Sequence, residues 1–346
     1  MNRRPSLHRS LTVLFLLALG FSLPGPLSLV QSVEATSSSA SARIIKKLKK
    51  QIATLKAQLA AATTPPTPAA FVEMVTVGNA GNAGNAADTT TTFGAVPYEF
   101  KIGKTELTLA QYTAFLNAVA ATDAFGLFNA AMETDNKIKG IDQSGSSGSF
   151  TYSVIGDGSR PVTYVSWFDA ARFCNWLHNG RPTGPQTAAT TERGAYTLDG
   201  AVAGVSFSRQ WGAKFWIPSE DEWYKAAYHQ PADDGGDGDN YWLYPTKSNA
   251  APTAEAPPGG ANSANFNSVV DALTPVGAYT GSAGFYGTFD QGGNVWEWND
   301  AVISVDFRGL RGGSWFLAEL ILSSSFRDTG RPSFENNFVG FRVASP

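Results

Sequence analysis

The segment Gly284–Asp300, GFYGTFDQGGNVWEWND, gathers aromatic and acidic residues around a Gly-Gly turn. Buried aromatic rings supply much of a core's stability, so this segment is predicted to lie inside the fold. Its acidic and amide side chains then need partners, because an unpaired buried charge is costly. Two kinds of partner are open: a hard cation such as Ca²⁺, or a set of backbone N–H and arginine donors. The side chains concerned are Asp290, Asn294, Glu297 and Asp300.

The composition is that of a large, loop-rich and aromatic protein. The chain has 346 residues, 43% of them hydrophobic, with 35 glycines, 19 prolines, nine tryptophans and 22 phenylalanines. Together with the pattern of short apolar segments, this favours an α+β fold with little regular secondary structure. A net charge of −3 gives no reason to expect a nucleic acid partner. The single cysteine, Cys174, excludes an intrachain disulfide and any metal site built from several cysteines.

The beginning of the chain is predicted to direct export. Residues 1–35 combine arginines, a short apolar run and small residues before Ala35, which is typical of a signal peptide. An uncleaved membrane anchor is the alternative interpretation. Export would place the protein in the periplasm, at the cell surface or outside the cell.

Residues 36–70 are predicted to form a short stalk and a linker. Apolar residues alternate at spacings of three and four, which predicts a short coiled coil that self-associates through residues 43–62. The lysines on its flanks also suit a basic helix on anionic lipid, and a solvated helical spacer is the third possibility. The linker TTPPTP, residues 63–68, marks the boundary of a main domain at residues 71–346. The apolar positions are Ile45, Leu48, Ile52, Leu55 and Leu59.

Three helices of the main domain are predicted from their capping residues. Thr108, Ser166 and Ser219 each precede an apolar pattern of helical period. Ser219 forms a capping box with Glu222. Cys174 falls on the apolar side of the second helix, so it is interpreted as a packed core thiol and not as a nucleophile.

Two strands are predicted near the end of the chain. Leu310–Trp315 contains a glycine pair that suits a bulge or a close backbone approach. Val339–Val343 is predicted to close the fold as a final strand.

Six motifs in order resemble the formylglycine-generating enzyme family, also called the sulfatase-modifying factor domain. The resemblance covers residues 71–346 and implies a single domain with an irregular C-type-lectin-like fold. The motifs are GKTELTLAQYTAFL (103–116), RPVTYVSWFDAARFCNWL (160–177), IPSEDEWYKAA (217–227), GGNVWEW (292–298), LRGGSW (310–315) and NNFVGFRVA (336–344).

The resemblance also implies two structural calcium sites. In each, side-chain oxygens and backbone carbonyls act together as ligands, as calcium prefers. The first set of positions matches Asn265, Phe266, Asp271 and Leu273. The second set matches Asp290, Gly293, Val295 and Glu297.

The oxidase chemistry of the family is not expected here. In active members two cysteines after the GGS motif hold Cu(I) and convert a substrate cysteine to formylglycine. The matching positions are Leu317 and Leu322, which offer no ligand, so copper is not expected. Other members bind non-haem iron through a His-rich domain that comes earlier. After residue 35 this chain has only His178 and His229, too few for such a site.

The sequence therefore predicts a calcium-stabilised binding or scaffold module, a pseudoenzyme whose ligand is an unidentified protein or glycan. The alternative is a formylglycine-generating oxidase with other ligands, or another metal-dependent oxidase on the same fold. A binding surface is predicted on the loops near the end of the chain. The alternative is that Trp315 and Phe316 pack in the fold and that Arg327 pairs with a local acid, so that these residues stabilise the structure and bind no ligand. The predicted binding surface consists of Trp315, Phe316, Arg327, Arg331 and Asn337.

Overall fold

The computed structural model describes Leu48, Lys49, Ile52, residues 70–85 and residues 92–346. It divides into two units, Met1–Ala69 and Ala70–Pro346. In the first unit the described residues are helical, and Leu48 and Ile52 are 40% and 39% exposed. The predicted export signal, the linker and most of the predicted coiled coil lie outside the described residues. Within the described ranges, no helix has both the length and the apolar character needed to cross a bilayer.

The helices of the second unit begin where the capping residues predict. Thr108, Ser166 and Ser219 each accept a hydrogen bond from the backbone N–H three residues on, within a reciprocal capping box. The predicted helix starts are therefore confirmed. The helices are α1 (Leu109–Val119), α2 (Ala131–Thr134), α3 (Trp167–His178) and α4 (Glu220–Tyr228).

The strands are short and build two main sheets. The order β1-β2-β11 gives an antiparallel sheet, and β10-β7-β8-β9 gives a second sheet in which only β10 and β7 run parallel. β3 and β4 form a hairpin, and β5 and β6 make a small parallel pair. In chain order they are β1 (Met74–Val77), β2 (Phe100–Gly103), β3 (Ile141–Ser144), β4 (Thr151–Val154), β5 (Thr253–Ala254), β6 (Ser263–Ala264), β7 (Trp296–Val302), β8 (Arg308–Arg311), β9 (Asp328–Gly330), β10 (Val339–Gly340) and β11 (Ala344–Ser345).

The second half of the aromatic segment, residues 291–299, is buried as its composition predicts, whereas Phe285, Tyr286 and Phe289 are only partly buried. Trp296 and Trp298 of β7 are 2% and 0% exposed. Trp298 Nε1 donates a hydrogen bond to the Val165 carbonyl at 3.0 Å, which ties β7 to the segment before α3. Short helices around short strands give the predicted α+β architecture.

Both predicted strands near the end of the chain differ from the structure. β8 ends at Arg311, because Gly312 and Gly313 have φ angles of +100° and +74° that turn the chain away from the sheet. Val339–Val343 is not one strand, because β10 ends at Gly340 and residues 341–343 connect it to β11, which belongs to the other main sheet. The two short strands have different partners, since β10 pairs with β7 and β11 pairs with β2.

Candidate functional site

Glu297 is the buried acid at the middle of the fold. β7 carries its side chain into the core, where it is 0% exposed. Oε1 accepts a hydrogen bond from Arg342 Nη2 at 2.7 Å, and Oε2 accepts from Arg342 Nε and from Trp223 Nε1. Arg342 is equally buried and also donates to the carbonyl oxygens of Gly103 and Phe289. Arginine and indole donors therefore neutralise this carboxylate, the second of the two kinds of partner expected for it.

Two further acids lie beside this ion pair, of which Glu106 is buried and Asp290 is partly buried. Asn294 Nδ2 donates to Glu106 Oε1 at 2.9 Å, and the Gly277 N–H donates to Asp290 Oδ2. Glu106 Oε2 has no hydrogen-bond partner among the residues that the structure describes. Burial raises the pKa of Glu106 well above its usual value, and the charges of Asp290 and Glu297 raise it further. Burial likewise raises the pKa of Asp290 to about 6.

These contacts determine the protonation of the cluster. One arginine, Arg342, faces three carboxyl groups, so ionising all three would leave uncompensated charge in the core. Glu106 is the group whose ionised form is least stabilised, because only one of its oxygens has a donor. Burial with a single donor therefore favours the protonated form of Glu106 more than it would for an exposed carboxyl group.

The second predicted calcium set does not fit a cation with its side chains as they stand. Both oxygens of Glu297 are engaged by Arg342, and a cation at that carboxylate would lie against the guanidinium. The positive charges of the cation and of the Arg342 guanidinium would repel each other strongly in this buried site. Asp290 could still supply an oxygen ligand, but Glu297, the other carboxylate of the set, is paired with Arg342. The set consists of Asp290, Gly293, Val295 and Glu297.

The first predicted calcium set fits only in part. Asn265 Oδ1 is buried without a hydrogen-bond partner among the described residues, which suits a ligand oxygen. Asp271, by contrast, is an exposed side chain whose two oxygens accept from Lys137 Nζ at 2.7 and 2.8 Å. In the described part of the chain, no three His, Cys, Asp or Glu side chains gather as a metal site. Phe266 and Leu273, the two carbonyl positions, carry buried apolar side chains.

Leu317 and Leu322, at the positions that the resemblance assigns to copper ligands, have apolar side chains that pack inside the protein. Leu322 is 0% exposed and contacts an apolar cluster that includes Tyr244 and Phe266. Leu317 is partly buried and packs against the main core. Cys174 is 0% exposed in α3, and burial raises the pKa of its thiol well above the usual value. The interpretation of Cys174 as a core thiol is confirmed, and its thiolate, the form that binds metals, is disfavoured.

The two histidines of the domain are held by separate sets of neighbours. His178 Nδ1 accepts from the backbone N–H of Lys214 at 3.1 Å. His229 Nδ1 hydrogen-bonds the Tyr286 hydroxyl at 2.7 Å, and burial lowers the pKa of His229 to about 4. His229 is therefore neutral at physiological pH, and neither histidine takes part in a cluster of metal-ligating side chains among the described residues.

Two members of the predicted binding surface are structural. Trp315 is only 5% exposed and packs with Ile138 and Val295, so it is not a surface residue. The turn at Gly312 and Gly313 directs the chain back into the protein and buries the ring. Arg327 Nη1 lies 3.2 Å from Glu220 Oε2 and forms an ion pair with it.

The other members of that surface remain accessible. Phe316 is 36% exposed and contacts Phe338 with ring centroids 5.3 Å apart. Asn337 Nδ2 donates to Asp135 Oδ2 at 3.4 Å. Arg331 is exposed and lines a cleft that also contains Phe334. Sequence reasoning missed Phe334, because one phenylalanine among many gives no sign of exposure.

Comparison with known proteins agrees with the six motifs. Residues 61–346 match the family model described as sulfatase-modifying factor enzyme 1-like domain. A hercynine oxygenase of Mycolicibacterium smegmatis is 30% identical over 210 residues, 54% of this chain and 38% of that protein. The inactive C-alpha-formylglycine-generating enzyme 2 of Mus musculus is 28% identical over 194 residues, 54% of this chain and 49% of that protein. The chain thus matches less than half the length of these two relatives.

Solved structures give a weaker likeness. The crystal structure of CarF is 21% identical, covers 80% of this chain and 98% of its own, and superposes with a TM-score of 0.45. PvdO from Pseudomonas aeruginosa is 19% identical, covers 79% of this chain and 94% of its own, and has a TM-score of 0.42. The assignment therefore depends on the family model, which matches most of the chain. The chain belongs to the sulfatase-modifying factor enzyme 1-like domain family.

Proposed function

We propose that the protein is an exported, non-catalytic member of its family that acts as a binding or scaffold module. The observation that carries the proposal is the packing of Leu317 and Leu322, which fill the copper-ligand positions with hydrocarbon. Cu(I) requires soft ligands, and the one thiol of the chain is sealed in the core. The name of the mouse relative describes a family member without activity, which supports the same reading for this chain.

A Cu(I) titration against a competing chelator tests this proposal. We expect the purified chain and its Cys174→Ser variant to hold Cu(I) equally weakly. The Leu317→Cys/Leu322→Cys variant should bind Cu(I) at least about a hundredfold more tightly, because two thiolates replace two hydrocarbons. Circular dichroism of each variant checks that the fold is retained. Tight binding by the natural chain that Cys174→Ser abolishes would overturn the proposal.

An oxidase is the alternative function, and the hercynine oxygenase relatives are the observation in its favour. An oxidase would need metal ligands other than His178 and His229, because these two histidines bind separate neighbours. Oxygen consumption with a thiol peptide, measured after loading with Cu(I) or Fe(II), distinguishes the two functions. Uptake above the rate of the metal alone would favour the oxidase.

Calcium binding is not part of the proposal, and a separate measurement tests it. Loading either set would require Lys137 to leave Asp271 or Arg342 to leave Glu297. We therefore expect the melting temperature in millimolar calcium to equal that in EDTA, within the error of the melt. A rise in calcium that Asp271→Asn removes would show that the first set binds the ion.

Export and self-association through residues 43–62 complete the proposal. They are supported by the sequence pattern of the first 70 residues. Light scattering on the full chain and on a variant with Leu48→Ser and Ile52→Ser measures self-association. A module held in several copies would gain avidity from weak individual contacts.

A further inference from the structure

A cleft of about 430 Å³ opens beside the edge strand β9. Its volume lies within the range of small-molecule sites, which combine aromatic walls with a few polar groups. Its lining residues are Phe307, Thr329, Gly330, Arg331, Ser333 and Phe334.

Gly330 of β9 lines the cleft and is itself buried. A Cβ atom on Gly330 would lie 2.5 Å from the ring of Trp298, so the strand packs directly on the core at this position. Phe334 is 36% exposed and forms part of the wall. The accessible ring of Phe334 therefore offers a ligand in the cleft an apolar surface.

Arg331 gives the cleft its charge. Its guanidinium carbon lies 5.9 Å from the ring centroid of Phe307, close enough to share that ring face. No ion pair to Arg331 occurs among the residues that the structure describes, whereas Arg327 of the same segment pairs with Glu220. An exposed, unpaired guanidinium beside aromatic rings is suited to a carboxylate, which it can bind through two parallel hydrogen bonds.

Hydroxyl groups complete the set. Thr329 and Ser333 line the same cleft on either side of Arg331 in sequence. Each hydroxyl can both donate and accept a hydrogen bond, as a ligand rich in hydroxyl groups requires. A simple apolar ligand would leave these groups unused.

We propose that this cleft binds a hexuronic acid residue of an acidic glycan. The carboxylate of the sugar pairs with Arg331, its apolar ring face lies on Phe334, and its hydroxyls bond Thr329 and Ser333. The assignment builds on the binding-module proposal and names its ligand class. A sugar of about 13 non-hydrogen atoms bound with ordinary efficiency gives a dissociation constant on the order of 1 mM.

The aromatic surface continues beyond the cleft. The rings of Phe334 and Phe338 have centroids 6.2 Å apart, and Phe338 in turn contacts Phe316. Phe316 and Phe334 are each 36% exposed. A chain of several sugar residues can therefore contact more rings than one residue does, and we expect longer oligomers to bind more tightly.

Galacturonate and galactose test the proposal as a matched pair, since they differ only in having a carboxylate or a hydroxymethyl group. Binding to the full chain is measured by NMR saturation transfer and calorimetry, followed by titration with trigalacturonate. We expect galacturonate to bind about tenfold more tightly than galactose, which is typical of one charge-assisted hydrogen-bonded contact. Arg331→Gln should abolish this difference.

Arg181→Gln is the control variant. Arg181 is also exposed, also lies over a phenylalanine ring (Phe71, at 4.6 Å) and is not part of the cleft. The proposal would be overturned if the two sugars bound with equal affinity. It would also be overturned if Arg181→Gln lost the preference for galacturonate as fully as Arg331→Gln does. Succinate binding as tight as that of galacturonate would also overturn it, because a carboxylate alone would then suffice. Each of these results leaves the non-catalytic assignment to be decided by the copper titration.

Discussion

Replacing Arg342 with methionine is expected to lower the free energy of unfolding by about 3–5 kcal/mol, the usual cost of leaving one member of a buried ion pair alone. Methionine keeps most of the volume of the arginine stem but supplies no charge and no donor. Glu297 would lose the arginine bonds to both of its oxygens and would keep only the bond from Trp223. The carbonyls of Gly103 and Phe289 would lose donors as well. Urea unfolding followed by tryptophan fluorescence measures the change.

The double variant Arg342→Met/Glu297→Gln shows whether the charge is responsible. Glutamine is neutral, and its carbonyl oxygen can still accept from Trp223, so we expect part of the lost stability to return. The surface pair of Arg193 with Asp199 is the matched control, because both side chains are exposed and Arg193→Met should change little. If Arg342→Met were no more destabilised than Arg193→Met, the buried pair would not stabilise the fold. Rescue of Arg342→Met by calcium alone would show that Glu297 is available as a metal ligand.

Replacing Glu106 with glutamine is expected to change how stability depends on pH. Burial raises the pKa of Glu106 in the folded state, so between its unfolded and folded pKa values the native state binds more protons than the unfolded state. Stability from this group is therefore complete below about pH 4 and is lost as the pH rises. Asp290, with its pKa raised to about 6, acts in the same direction. Glutamine removes the titration of Glu106, and its carbonyl oxygen can still accept the bond from Asn294.

We therefore expect the stability of Glu106→Gln relative to the natural chain to increase from pH 5 to pH 8, with a slope of at most about 1.4 kcal/mol per pH unit, the limit for one proton. Asp169 and Asp300, whose pKa values burial raises to about 8 and about 7, titrate in both proteins and cancel in the comparison. Thermal unfolding of both proteins at pH 5, 6.5 and 8 measures how the difference in stability changes with pH. Glu319→Gln is the control at an exposed position, and its stability should change with pH in the same way as that of the natural chain. Parallel stability curves for Glu106→Gln and the natural chain would contradict a raised pKa of Glu106 in the folded state.

Local features of this fold could be predicted from the sequence, because their partners are close in the chain. Ser219 and Glu222 are three residues apart, and the capping box they form has one geometry at a helix start. Cys174 was placed correctly because helical spacing alone puts it among apolar neighbours.

Pairings between distant residues could not be predicted in this way. Glu106 meets Asn294 across 188 positions of sequence, and no pattern within either motif specifies the other. The acids of Gly284–Asp300 leave both a cation and an arginine open as kinds of partner, and only the packing of the chain brings Arg342 to Glu297. The sequence predicts Trp315 at the surface, and this is wrong because the exposure of the ring depends on where Gly312 and Gly313 turn the chain. The family resemblance identified the copper positions, which composition and periodicity alone do not reveal.

The Arg342 ion pair also has a consequence for synthesis on the ribosome. Residues 339–345 supply β10, Arg342 and β11, and they are translated after all of the elements with which they pair. Until they emerge, Glu297 lacks its counter-charge and β2 lacks one neighbouring strand. A nascent chain stopped before residue 339 therefore exposes an incomplete core to proteases, and cells should accumulate almost none of it.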